Sequence, residues 1–230
     1  MNIYKFIVKS LWHYRKQHLA VLLGTLLSTA VITGALVIGD SIHYSLQQLV
    51  NKRLGSVKYA MHTGDRYVRQ QLIKDFSNNA NIEATGGLIL NGMAINSDVQ
   101  KRINNIQVIG TDESFWSLSG MEMPKILEDE AILGDNVARK LNLSVNDEFL
   151  LRVENAGIIP VNAPFVAESN PSVSFRLKVK AIADVNQLGR FNLKNDQKAP
   201  NNIFVSHKYL ADELELNGLI NYRFVSLDTF

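Results

Sequence analysis

Leu19 to Gly39 reads LAVLLGTLLSTAVITGALVIG, with no charged side chain between His18 and Asp40. From Leu19 to Ile38 the run is about 20 residues, and at roughly 1.5 Å of rise per residue such a helix crosses a hydrocarbon layer of about 30 Å. A helix of this length in a soluble core carries a polar stripe. Here the only polar side chains are Thr25, Ser28, Thr29 and Thr33, whose hydroxyls can bond back to the carbonyl one turn earlier and so enter lipid at low cost. The stretch therefore reads as a transmembrane helix over 18–39, and the remaining chain is organised by the side of the membrane on which it lies.

Orientation follows from charge. Lys5, Lys9, Arg15 and Lys16 precede the span and no Asp or Glu occurs ahead of Asp40, which places the N-terminus in the cytoplasm and residues after 40 outside. The small residues Thr33-Gly34-Ala35 leave a cleaved signal peptide as the competing reading. Against it, the apolar run exceeds the usual h-region of about 7–15 residues.

Working back from the span, residues 1–17 form an amphipathic helix. Lys5, Lys9, His13 and Lys16 share one face, opposite Ile3, Ile7, Leu11 and Tyr14. A basic face with an apolar back, bordered by Trp12 and Tyr14, reads as a helix lying in the cytoplasmic interface against membrane lipid. The plainer alternative is a positively flanked start-transfer signal. Working forward, residues 40–55 show no break before Gly55, and Ile42, Leu46, Leu49, Val50 and Leu54 keep a helical spacing. The membrane helix is expected to continue outward as a stalk of about four turns, roughly 24 Å, ending with Gly55 at C′.

Residues 56–230 alternate short strand and helix patterns. Val57 to Met61 reads as a strand, Asp65 to Phe76 as a helix, and Ile82 to Ala94 and Asn105 to Gly110 as strands, with Asn91-Gly92 a hairpin turn or a bulge. Glu130 to Leu133 is a strand, Asn136 to Leu141 a helix with Asp135 as its N-cap, and Glu148 to Glu154 a strand. Asn155 to Pro171, with three prolines, reads as a loop or insertion. In SVSFRLKVKAIAD, Val173, Phe175, Leu177, Val179 and Ala181 face a core, while Arg176, Lys178 and Lys180 face water. Gln187 to Asn201 is a loop, Asn202 to Val205 a strand, Ser206 the cap of a helix from His207 to Leu216, and Asn221 to Leu227 the last strand. The fold class is α+β: one N-terminal transmembrane helix continuing into a stalk, then an extracytoplasmic mixed α/β domain over 56–230.

The chain has 230 residues and a net charge of +2, room for one membrane segment and one or two modest domains. Basic residues are spread along it and no nucleic-acid-binding motif occurs, so nucleic acid is not an expected partner. The absence of cysteine removes disulfides and thiolate chemistry. His13, His18, His43, His62 and His207 are scattered, with no HExxH or other ligand spacing. Gly39-Asp40-Ser41 lies in a helix, not at a nucleophile elbow, and neither Gly86-Gly87 nor Gly110-Thr111-Asp112 continues as a phosphate loop. Glu128, Asp129 and Glu130 are adjacent, so they splay as a solvated run. No catalytic, metal or cofactor site is expected.

The order of basic helix, span, helical exit and outer α+β domain resembles the N-terminal part of ABC transporter permeases of the FtsX/MacB type. Three phrases carry the resemblance: Val108-Ile109-Gly110-Thr111-Asp112 followed by Phe115-Trp116; Ala131 to Leu143 (AILGDNVARKLNL); and Leu177 to Asp184 (LKVKAIAD). Asn142, Asn146 and Ala181 stand where that pattern has glycine, and asparagine tolerates the left-handed turns involved. The resemblance implies a permease subunit, located in the bacterial inner membrane, that hydrolyses nothing itself. A separate cytoplasmic ABC ATPase would drive it, with the remaining permease spans or a second permease copy as further partners. It also implies three more spans after the outer domain; this sequence has no second apolar run and is expected to be an N-terminal fragment, a truncated frame or half of a split permease. The alternative is a single-pass anchored extracytoplasmic binding module with no ATPase partner.

Overall fold

The computed structural model describes residues 3–64, 66–71, 75, 83–121, 123–154, 172–193 and 198–226. They fall into two compact units, Met1–Leu49 and Val50–Phe230. In the first, α1 (Ile3–His13) is followed by α2 (Arg15–Leu54), a single helix of 40 residues whose last turn belongs to the second unit. Hydrogen bonds pass through Tyr14, from its N–H to the Ser10 carbonyl (3.0 Å) and from the His18 N–H to its own carbonyl (3.0 Å).

In the second unit, six strands close on themselves. They are β3 (Glu83–Asn96), β4 (Lys101–Thr111), β5 (Glu130–Gly134), β6 (Glu148–Glu154), β7 (Ser172–Ala183) and β8 (Asn202–Ser206). The circuit runs β3-β4-β8-β5-β7-β6 and returns to β3 through Gly92–Ile95 paired with Val153–Leu150. β4–β8 and β5–β7 are parallel and the other pairs antiparallel, so the sheet is mixed and also a barrel. Alternate residues fill one core: Leu88 and Leu90, Ile106 and Val108, Ala131 and Leu133, Leu151 and Val153, Phe175, Leu177 and Val179, and Ile203 and Val205, all buried.

Residues of opposite parity on three strands, Ile109, Ile132 and Phe204, belong to a second core with Phe115, Trp116, Phe191, Tyr222 and Phe224. Phe115 lies edge-on to Trp116 at 5.2 Å and to Phe191 at 5.4 Å, and Tyr222 stacks on Phe224 at 4.4 Å. Strands covered on both faces lose the hydrophobic–polar alternation, which is why Ala131–Leu133 and Ile203–Val205 are continuous apolar runs. β6 and the first part of β7, to Val179, are covered on one face and alternate, with Arg176 and Lys178 exposed; past the register shift opposite Ala131/Ile132, Ala181 and Ala183 turn to the second core and Ile182 to the first, so Ala181 does not share the face of Val173 to Val179 as expected.

Glu83–Gly87 of β3 pairs with β10 (Tyr222–Ser226), and β10 pairs in turn with β1 (Val57–His62). A small second sheet joins β2 (Val68–Arg69) to β9 (Leu219–Ile220). The short helices are α3 (Glu113–Ser117), α4 (Asp135–Leu141) and α5 (His207–Glu213).

Several local expectations are corrected. β3 runs unbroken through Asn91-Gly92, where the register shifts as in a bulge, and the chain turns at Ser97–Gln100. A Cβ at Gly92 would lie 2.8 Å from the Arg152 carbonyl oxygen and 2.9 Å from Val108 Cγ2, so glycine here permits neighbours on both sides. Within the helix expected over Asp65–Phe76, Val68 and Arg69 are strand, paired with β9, while Gln70, Gln71 and Asp75 are helical; residues 65, 72–74 and 76 lie outside the described ones. So do residues 155–171, the expected loop or insertion, and 194–197 of the loop before β8. The N-cap of α4 is Gly134, and Asp135 is the first residue of the helix. α5 ends at Glu213, and its cap residue Ser206 makes no side-chain capping bond. Asn142 and Asn146 adopt φ of 56° and 77°, the left-handed turns that asparagine allows.

Candidate functional site

No side chain of α1 or α2 is buried. Leu19, Leu22, Leu27, Val31, Leu36 and Ile38 are each more than half exposed, and α2 is long and apolar enough to cross a membrane. An uncovered apolar helix needs lipid or another helix around it. Its three threonine hydroxyls are satisfied internally: Thr25 donates to the Leu22 carbonyl at 3.0 Å, Thr29 to the Thr25 carbonyl at 2.8 Å, and Thr33 to the Thr29 carbonyl at 2.7 Å. Lys5, Lys9 and His13 lie on α1 and Lys16 opens α2, all exposed, and the Arg15 guanidinium sits 5.8 Å from the Trp12 ring centre.

Of the stalk positions, Ile42, Leu46, Leu49 and Val50 are exposed, whereas Leu54 packs on the aromatic core. The helix stops there for a steric reason. Gly55 has φ of +60°, and a Cβ on it would fall 2.3 Å from the Leu118 carbonyl oxygen; the next N–H, of Ser56, donates to that same oxygen at 2.8 Å. The end of α2 is thereby tied to the residue that follows α3, and α3 carries Phe115 and Trp116 of the core.

A cleft of about 560 Å³ opens where the parallel strands β4 and β8 end, lined by Thr111, Asp112, Trp116, Lys125, His207 and Lys208 among others. Asp112 caps α3, accepting from the Ser114 N–H at 3.1 Å, and the Ser114 hydroxyl reaches Thr85 at 2.7 Å. His207 Nδ1 is buried without a hydrogen-bond partner. Burial holds the imidazole below its ordinary pKa, partly opposed by the Asp112 charge. Among the described residues, no group of three or more His, Cys, Asp or Glu gathers to hold a metal.

Two ion-pair sites escaped the sequence reading. Arg190 grips Asp135 with two bonds, Nε to Oδ1 at 3.0 Å and Nη2 to Oδ2 at 2.8 Å, and Arg139 adds a third at 2.8 Å. The Arg190 bonds are the main cause that holds the Asp135 carboxyl below its usual range. Glu130, read as part of a solvated run, accepts from Lys180 at 2.8 Å and from the Leu127 N–H at 3.2 Å; the Lys180 bond chiefly lowers its pKa. Arg190 lies 55 residues from Asp135 and Lys180 lies 50 from Glu130, so no local pattern announced these two pairs, whereas the Arg139–Asp135 pair is a local i,i+4 contact. Only the suitability of Arg for a bidentate carboxylate was visible.

Asn221 was also missed. It is 2% exposed, and its side chain imitates a strand: Oδ1 accepts from the Ile89 N–H at 2.7 Å, while Nδ2 donates to the Ile89 carbonyl at 2.8 Å and to Gly64 at 3.2 Å. It separates β9 from β10 and carries the hydrogen-bonding ladder across the gap.

No family model matches the chain, and no curated protein matches it. Among solved structures, the periplasmic region of MacB from Actinobacillus actinomycetemcomitans is similar at 9% identity and a TM-score of 0.45, covering 74% of this chain and 73% of that one. The extracellular domain of the noncanonic ABC-type transporter YknZ from Gram-positive bacteria is similar at 8% identity and a TM-score of 0.46, covering 74% of this chain and 82% of that one.

Proposed function

We propose that the chain is the N-terminal portion of an ABC transporter permease of the FtsX/MacB type, with its N-terminus cytoplasmic and its barrel extracytoplasmic. A separate ABC ATPase hydrolyses ATP; the remaining permease spans, or a second copy, complete the membrane part. Residues 1–17 lie in the cytoplasmic interface, 18–39 span, 40–55 form the stalk, and 56–230 are the outer domain, which handles export cargo, lipoprotein release or envelope signalling.

The observation that carries this reading is α2 itself. It leaves an uncovered apolar segment and runs without a break to Leu54, where its end is fixed against Leu118. An anchor needs only a tether, and a flexible linker would serve. An unbroken helix with a seated end resists bending and can pass displacement on. The motif phrases at Val108–Asp112, Ala131–Leu143 and Leu177–Asp184 support the family assignment.

The test is co-purification of the chain, expressed from its native locus, with a cytoplasmic ABC ATPase, followed by assay of the coupled process. Leu46→Pro, costing about 3 kcal/mol or more at a helix interior, should uncouple the ATPase from the outer domain while leaving that domain folded. Absence of any ATPase from the purified complex would favour the anchored binding module instead, and normal coupling with the proline in place would refute the lever.

A further inference from the structure

Asn-Gly occurs twice in the chain, at Asn91-Gly92 and at Asn217-Gly218. In this dipeptide an asparagine side chain closes most readily on the next backbone nitrogen, because glycine places no Cβ in the way and leaves the backbone free to turn. The fold treats the two copies differently. Asn91-Gly92 lies inside β3, where Asn91 is paired with Gln107 of β4, and Gly92 with both Ile106 of β4 and Val153 of β6. Closing a ring there would turn the backbone out of its extended form and break pairing on both sides. Asn217-Gly218 lies in the turn between α5 and β9, where the Leu219 N–H donates to the Leu216 carbonyl at 3.0 Å. Both residues are exposed. Gly218 has φ of +70°, and nothing lies within 4 Å of the position a Cβ would take. The Gly218 carbonyl accepts from the Gln70 N–H at 2.8 Å, but among the described residues no hydrogen bond engages the Asn217 carboxamide or the Gly218 N–H. The two reacting groups are therefore held by nothing but the turn.

We propose that Asn217 is a site of spontaneous deamidation and that pairing within the barrel protects Asn91 from the same reaction. The Gly218 nitrogen, after losing its proton to hydroxide, attacks Asn217 Cγ. The new C–N bond closes a cyclic imide, and the Cγ–Nδ2 bond breaks, releasing ammonia with a proton taken from water. Water then opens the imide. Addition at Cγ gives aspartate, and addition at the main-chain carbonyl gives isoaspartate, in which the backbone runs through Cγ; nothing is oxidised or reduced. Asn217 and Gly218 line the cleft that also holds His207 and Lys208, so either product sets a carboxylate on its wall in place of a neutral amide. Isoaspartate also lengthens the backbone by one carbon just ahead of β9 and of Asn221. This inference stands apart from the permease reading, because it needs only the exposed dipeptide and its protected counterpart.

The test ages the full chain, purified in detergent, at mildly alkaline pH and maps its peptides by mass spectrometry. Isoaspartate is scored by methyl transfer from S-adenosylmethionine, using an isoaspartyl methyltransferase as reagent. Asn217 should convert about tenfold faster than Asn91 or more, because Asn91 reacts only when β3 opens from the sheet, whereas the turn is open already. In urea, where the outer domain is unfolded, the two rates should converge, since both sites are then the same dipeptide. Asn217→Gln, an exposed change whose longer side chain closes a larger ring more slowly, should remove the modification at 217 and leave the Asn91 rate as it was. Isoaspartate and aspartate should both appear at 217, since one imide yields both. No conversion at Asn217, equal rates at the two asparagines in the folded chain, or a difference that survives in urea would overturn the proposal. So would aspartate formed without isoaspartate, which would mean direct hydrolysis of the side chain and no part for Gly218.

Discussion

Replacing Asn221 with leucine, a side chain of similar size, tests whether the second unit depends on one side chain acting as a strand. The substitution keeps the volume and removes three hydrogen bonds, two of them to the backbone of Ile89 at 2.7 and 2.8 Å. Asn221 is 2% exposed, so water does not replace the amide, and the Ile89 N–H and C=O are both left unpaired. Each orphaned group costs about 1–3 kcal/mol, partly offset by the added apolar burial, for a net loss of about 2–4 kcal/mol. For a domain of this size each kcal/mol lowers Tm by about 2–4 °C, so a fall of roughly 4–16 °C is expected. The assay is thermal unfolding of the full chain in detergent, together with amide hydrogen exchange resolved at Ile89. That amide, hydrogen-bonded to Asn221 Oδ1 in the parent, should exchange faster in the variant, with Val108, deep in the barrel, less affected. A Tm within about 2 °C of the parent, with Ile89 exchange unchanged, would refute the reasoning.

Gly55→Ala places a Cβ against the Leu118 carbonyl oxygen at a positive φ; a loss of at least about 1–2 kcal/mol is expected from the left-handed backbone alone, measured as a lower urea midpoint. The low pKa values of Asp135 and Glu130 contribute stability that is present above the ordinary carboxylate range and lost as pH falls through the folded values. Asp135→Asn should therefore be less stable than the parent at neutral pH, and the difference should narrow on acidification in a Tm-versus-pH series. His207 is depressed by burial, so its neutral form stabilises the fold at neutral pH, and that stability is lost as pH falls from its ordinary value of 6.5 toward the folded one. His207→Gln should flatten that part of the same series.

Features written in short stretches were legible in the sequence. The apolar run from Leu19 to Ile38, the stop at Gly55 and the alternation of β7 each depend on neighbours within a few residues. Asn142 and Asn146 could be read because the left-handed turn is a property of the residue itself. The barrel closure was not legible. It rests on Gly92–Ile95 meeting Leu150–Val153, a pairing decided by the whole circuit. For the same reason Asn91-Gly92 looked as much like a hairpin as a bulge. The candidate site divides in the same way. Asp112 beside Phe115-Trp116 was singled out, but the burial of His207 and the grip of Arg190 on Asp135 depend on segments far away in the chain.

The order of strands in the barrel also bears on when the domain can form. β8, beginning at Asn202, lies between β4 and β5, which are complete by Gly134, and β10 supplies two aromatic residues of the second core. During synthesis the early strands wait without their central neighbour until Asn202–Ser206 has been made, as in other topologies dominated by distant pairings. β8 and β10, more than the strands before them, therefore decide when the domain locks.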